Sequence, residues 1–167
     1  MTLERKISNM YKLDDRAWLR HANPWSVWTR NSVMPLLILA FWSRTWIGWW
    51  AAVPVALAVA WAMVNPHIFP APRSTDHWAS KCVFGERLWL NRDRVPIPAS
   101  HKRLPNLLSA IAGIGALFVM IGVFRFDLWM TLFGCALVYM GKLWFLDRMV
   151  WIYEDMNRHP GGENREK

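Results

Sequence analysis

Apolar residues in this chain come in long blocks rather than in alternation. Residues 46–64 run for nineteen positions without a charge, and residues 104–124 for twenty-one. A hydrocarbon core about 30 Å thick takes roughly 20 apolar residues at 1.5 Å of rise each, and a helix satisfies its own backbone polar groups there. Both blocks predict transmembrane helices, and the chain reads as an all-α polytopic membrane protein. Two weaker blocks accompany them. Residues 32–42 lie between Arg30 and Arg44 and cross only if Arg30 snorkels. Residues 128–141 reach full length, to Leu146, if Lys142 is tolerated at the membrane edge.

The distribution of charge decides between two and four crossings. With four, the N-terminus, the middle segment 65–103 and the tail, together with Lys142 at the membrane edge, share one side with 18 of the 20 Lys and Arg, leaving Arg44 and Arg125 opposite. Cationic residues gather on the cytoplasmic side of membrane proteins. The expectation is four spans, 32–42, 46–64, 104–124 and 128–146, forming two hairpins in the cytoplasmic (inner) membrane with both termini cytoplasmic. The hairpins turn at Phe41-Trp42-Ser43-Arg44-Thr45-Trp46 and at Phe124-Arg125-Phe126-Asp127-Leu128-Trp129. Residues 1–156 make a single membrane domain. Residues 157–167, with Pro-Gly-Gly and alternating charge, predict a disordered tail. The N-terminus lacks the early apolar core of a signal peptide.

The middle segment changes character twice. Asn65-Pro-His-Ile-Phe-Pro-Ala-Pro-Arg predicts a stiff, non-helical turn out of the bilayer. Ser74 or Thr75 then caps a helix running to about Leu90. At 100° per residue its apolar face gathers Trp78, Ala79, Cys82, Val83, Gly85, Trp89 and Leu90, with Asp76, His77, Ser80, Lys81 and Arg87 opposite. That pattern predicts an amphipathic helix along the cytoplasmic interface. Glu86 contradicts it by placing a carboxylate in the middle of the apolar face. Such a group is either paired with a nearby arginine, as Arg30, Arg92 or Arg148 would allow, or used for proton transfer.

Composition adds two points. The chain is 54% hydrophobic with 13 Trp, yet its mean hydropathy is only +0.09 and its net charge +8, so much of it lies outside lipid. Trp favours the boundary between headgroups and tails. The basic charge follows topology and attraction to anionic lipid, and argues for no nucleic acid. Cys82 and Cys135 have no C-x-x-C spacing and read as free thiols, which sets aside two-cysteine redox chemistry.

The candidate catalytic groups are Glu86, Asp147, Glu154 and His21. Asp147 and Glu154 lie two turns apart on a stripe with Trp144, Arg148, Trp151 and Asp155, a pattern equally expected of a face paired with basic loops. His21 sits at a membrane anchor and could titrate near neutral pH. The five histidines lack metal-ligand spacing, so no metal and no cofactor is expected. Trp25, Trp28, Trp78, Trp89, Trp144 and Trp151 are the candidate ligand-binding residues, forming a Trp-lined cytoplasmic mouth.

Four segments carry a resemblance: Arg20-His21-Ala22-Asn23-Pro24-Trp25-Ser26-Val27-Trp28-Thr29-Arg30, Trp78-Ala79-Ser80-Lys81, Gly85-Glu86-Arg87, and Gly141-Lys142-Leu143-Trp144-Phe145-Leu146-Asp147-Arg148-Met149-Val150-Trp151. The chain resembles an uncharacterised family of small prokaryotic Trp-rich membrane proteins, and that resemblance implies no reaction. The residues themselves favour a membrane protein binding a lipid-like or aromatic small molecule, or a partner membrane protein or second copy. The alternatives are a small enzyme acting on a lipid or isoprenoid through carboxylate acid/base chemistry, and a transporter subunit. Membrane lipids are partners in every case.

Overall fold

The computed structural model describes residues 15–158. Regular structure among them is helical: α1 (Asp15–His21), α2 (Pro24–Asn31), α3 (Val33–Trp42), α4 (Arg44–Ile47), α5 (Ala52–Ile68), α6 (Trp78–Leu90), α7 (Arg103–Arg125) and α8 (Leu128–Arg158), with 3-10 turns at Gly48–Ala51 and Ala99–His101. Prolines help to set the starts. Pro35, Pro54 and Pro105 each stand third in α3, α5 and α7, where a missing N–H costs nothing because the first turn has no carbonyl to bond. Pro24 opens α2, and the Asn23 side chain accepts from the Trp25 N–H as its cap at 2.9 Å.

Three helical stretches are long and apolar enough to cross a membrane: Pro24–Ile68, Arg103–Arg125 and Leu128–Arg158. The first has 45 residues and would be about 68 Å long if straight. It is not straight, because Asn65 bonds Ser26 and Thr29 near its other end. α3 accordingly packs back along α5.

Two boundaries differ from the sequence reading. The second apolar run becomes α5 only at Ala52, since Gly48 takes a left-handed φ of 56° and breaks the helix begun at Arg44. Trp46, Trp49 and Trp50 stand exposed on that break. The run also ends later than expected. The sequence predicts a non-helical turn from Asn65 onward, yet α5 passes through Pro66 to Ile68. Asn65, fully buried and bonded through both side-chain ends, holds the helical backbone that a following proline disfavours. The chain becomes extended only at Phe69, before Pro70.

α7 and α8 form the most extensive helix pair, and they run antiparallel. Glycines decide how closely they approach. A Cβ at Gly122 would lie closer than 3.0 Å to Thr131, one at Gly115 to Leu137 and Val138, and one at Gly141 to Leu108 and Ala112. The turn between the two helices closes with Phe126 at φ 55° and the Asp127 side chain accepting from the Met130 N–H. Trp42 and Arg44 tie the end of α3 to it by donating to the Val123 and Phe124 carbonyls. The Arg44 guanidinium also lies between the Phe41 and Phe126 rings, 4.1 and 4.4 Å from their centroids.

With 31 residues α8 is about 47 Å long, well beyond a hydrocarbon core. Its second half carries the main side-chain core, where Leu146, Met149, Val150 and Ile152 meet Ala79, Cys82, Val83 and Trp89 of α6, Trp18 of α1, Val27 of α2 and Ala22 in the turn between those two helices. α6 therefore packs as an inner helix. Gly85 is the contact point, since a Cβ there would overlap the Met149 carbonyl. The capping and one face of α6 correct the sequence reading. His77, not Ser74 or Thr75, caps the helix by accepting from the Ala79 N–H. Ser80, assigned to the polar face, is fully buried because its hydroxyl donates to the Ala22 carbonyl at 2.7 Å. Helix α8 still includes Asn157 and Arg158, and the rest of the expected disordered tail lies outside the described residues, as do residues 1–14.

Candidate functional site

Where α1, α2, α6 and α8 converge, a cavity of about 160 Å³ opens among polar side chains. His21, Arg30, Asn31, Glu86 and Lys142 line it, with Val27, Val83 and Leu146 as apolar wall. Glu86 thus sits in a site rather than on a lipid-facing surface, and Lys142 feels the charges of both Arg30 and Glu86. Asn31 ends α2, and its backbone carbonyl accepts from the Tyr139 hydroxyl at 2.7 Å. Its side chain is 8% exposed, and both amide atoms lack a hydrogen-bond partner. An unsatisfied buried amide costs about 1–3 kcal/mol, which makes Asn31 a costly polar group on the cavity wall.

Behind the cavity runs a hydrogen-bonded chain whose direction is fixed by chemistry. Arg30 has only donors, so its contact with His21 Nε2 at 2.9 Å makes that nitrogen an acceptor. The imidazole is then neutral with its proton on Nδ1, which donates to Ser26 Oγ at 3.1 Å. The Ser26 hydroxyl donates to Asn65 Oδ1 at 2.9 Å, and Asn65 Nδ2 donates to Thr29 Oγ1 at 2.8 Å. Thr29 closes the chain on the Trp25 carbonyl. Ser26 and Asn65 are fully buried, and every link has a donor facing an acceptor. The chain clamps α2 to α5 and presents Arg30 to the cavity.

Burial, followed by the Arg30 charge, lowers the His21 pKa from 6.5 to about 3. The expectation that His21 titrates near neutrality is corrected, because a protonated ring would face a guanidinium without solvent. Burial also pushes the Cys82 thiol up, and the Glu86 charge adds to it. Cys82 and Cys135 are free thiols.

The other candidates lie elsewhere. Asp147 accepts from the Trp78 indole N–H at 3.2 Å, and Glu154 pairs with Lys81 at 2.9 Å. Asp155 takes His101 at 2.7 Å. These carboxylates bolt α8 to α6 and to the turn before α7, and neither Asp147 nor Glu154 lines the cavity of Glu86. The six tryptophans do not converge on it either. Trp28 stacks on Trp78 with ring centroids 6.0 Å apart, Trp89 is buried in the core under Arg92, and Trp25, Trp144 and Trp151 are exposed. Among the described residues no group of three His, Cys, Asp or Glu side chains is placed to hold a metal ion.

The sequence reading missed Asn31, Ser26 and Asn65 as parts of a site. A polar side chain inside or beside an apolar run was the available signal, as it was for Lys142.

The family described as "Family of unknown function (DUF6653)" matches residues 2–166. This chain belongs to that family. The match spans the cavity, the hydrogen-bonded chain behind it and both long helices, so all of them lie within the family's own domain. Comparison with the curated proteins gave no match, and comparison with the solved structures gave none.

Proposed function

We propose that this member of the family is a polytopic membrane protein that binds the polar head of a lipid-like small molecule in the Arg30–Lys142 cavity. Its transmembrane part reads as four crossings in two hairpins, α3 with α5 and α7 with α8, joined by α6. The doubling back of Pro24–Ile68 supports the first hairpin, since one 45-residue helix would be more than twice as long as a hydrocarbon core is thick. The bias of Lys and Arg toward the α6 end supports a cytoplasmic placement of that end and of both termini.

The observation that carries the binding reading is Asn31, a buried amide with neither end satisfied, facing a cavity walled by two cations and a carboxylate. A buried polar group in this state calls for a partner, and a ligand head in the cavity would supply one to each end of the amide. The cavity lies where apolar helices give way to charged ones, so a bound head leaves its chains in lipid.

Native mass spectrometry of the protein extracted from its own membranes tests the reading. The wild type is expected to carry an amphiphile of defined mass, and Asn31→Leu to lose it while keeping its helical content. A wild type that carries none, and that no amphiphile stabilises on addition, overturns it.

A further inference from the structure

We infer that the head accepted by this cavity is a phosphate accompanied by a hydroxyl, either its own P–OH or that of an alcohol esterified to it. This rests on reading the cavity as a head-binding site.

Charge gives the first argument. Among the lining residues Arg30 and Lys142 are cations and Glu86 is the counter-charge. His21 adds nothing, because Arg30 donates into its Nε2 and so requires the neutral ring. The described lining is therefore net positive in a partly desolvated place, where an anion is the natural complement.

Asn31 gives the second. Its Nδ2 offers N–H donors and its Oδ1 an acceptor, and neither end is used within the protein. A carboxylate or a sulfate ester only accepts, and would leave Oδ1 unsatisfied. A quaternary ammonium head satisfies neither end and is repelled by the surplus cation. A phosphate with a neighbouring hydroxyl satisfies both, its anionic oxygen taking Nδ2 and its O–H giving to Oδ1.

Size agrees. A cavity of about 160 Å³ matches the roughly 150 Å³ that accommodates a benzene-sized guest, so a phosphate fits while acyl chains stay outside. The same chemistry is carried by a phospholipid and by free inorganic phosphate, and the two sources differ in their response to competition.

The test uses the full-length protein in neutral detergent, with binding read by thermal shift against four probes. These are inorganic phosphate, short-chain phosphatidylglycerol, and phosphatidylcholine and diacylglycerol of the same chains. Phosphatidylglycerol is expected to bind at least tenfold more tightly than phosphatidylcholine or diacylglycerol, and to weaken with added salt. Lys142→Gln and Asn31→Leu should each cost tenfold or more for phosphatidylglycerol and leave phosphatidylcholine unchanged. If either variant does not fold, the selectivity and salt dependence of the wild type decide alone. Displacement of the lipid by millimolar inorganic phosphate names the free ion as ligand, and resistance to it names the lipid; both outcomes uphold a phosphate site. Binding of inorganic phosphate with no amphiphile bound keeps the inference and removes the lipid reading. Equal affinity for all three lipids overturns the inference and leaves that reading standing. No response to any probe removes both.

Discussion

Ser26→Ala is the sharpest probe of the hydrogen-bonded chain behind the cavity. Ser26 is fully buried, takes the His21 proton at 3.1 Å and gives its own to Asn65 at 2.9 Å. Alanine fits the space, adds no clash and keeps the backbone helical, so the loss isolates two hydrogen bonds. Membrane-protein bonds measured by double-mutant cycles average about 0.6 kcal/mol, which sets a floor near 1.2 kcal/mol for two. The ceiling comes from the groups left behind, the His21 Nδ1–H and the Asn65 Oδ1, each costing about 1–3 kcal/mol when buried without a partner. Full burial of both Ser26 and Asn65 places the expected value above the floor, at about 2–4 kcal/mol. Thermal or denaturant unfolding in a fixed detergent, followed by circular dichroism, measures it. Ser32→Ala is the control, since Ser32 is exposed between α2 and α3 and its hydroxyl donates only to the nearby Thr29 carbonyl. A loss for Ser26→Ala no greater than that control would refute the chain as described.

Three further outcomes are expected. The folded His21 pKa, about 3, lies below its ordinary 6.5, so the unfolded state binds the extra proton. Stability from this group is therefore complete above pH 6.5 and declines as pH falls toward 3, by up to about 1.4 kcal/mol per unit; unfolding titrations should show that slope flattened in His21→Gln. Gly85→Ala should destabilise by about 1–3 kcal/mol because a backbone carbonyl occupies the space, whereas Gly113→Ala, facing open space, should be neutral or slightly stabilising in the same assay. Glu86→Gln should cost less than the 3–5 kcal/mol typical of breaking a fully buried ion pair, because Glu86 is only half-buried, and it should tighten retention of an anionic ligand rather than abolish it.

What was legible in the sequence follows from which signals are local. The charge-free runs 46–64 and 104–124 announce helices through length alone, and both are helical over most of their extent. Helix boundaries depended on single residues with context. Gly48 ended a helix because nothing opposed its left-handed φ, while Pro66 failed to end one because Asn65 was held from across the bundle by Ser26 and Thr29. Periodicity placed most of the α6 core face correctly but not Ser80, whose burial is secured by the Ala22 carbonyl in the turn between α1 and α2. Glu86 was visible as a misplaced charge. Arg30 was among the arginines named for it, but Asn31 and Lys142 were not visible as its neighbours, because they come from helices whose packing against α6 is set by glycine contacts and long-range hydrogen bonds. The positions of the tryptophans also depend on tertiary packing, which sends Trp89 into the core and leaves Trp25 and Trp151 outside.

In the proposed site a lipid-like ligand places its head between Arg30, Asn31 and Lys142. Photo-crosslinking with a phospholipid carrying a diazirine in its head, followed by peptide mass spectrometry, reads that placement residue by residue. Adducts are expected on α2 and on α8 around residue 142, suppressed by excess unlabelled lipid and by Asn31→Leu. Adducts spread over the exposed apolar faces of α3, α5 and α7, unaffected by competitor or substitution, would contradict it.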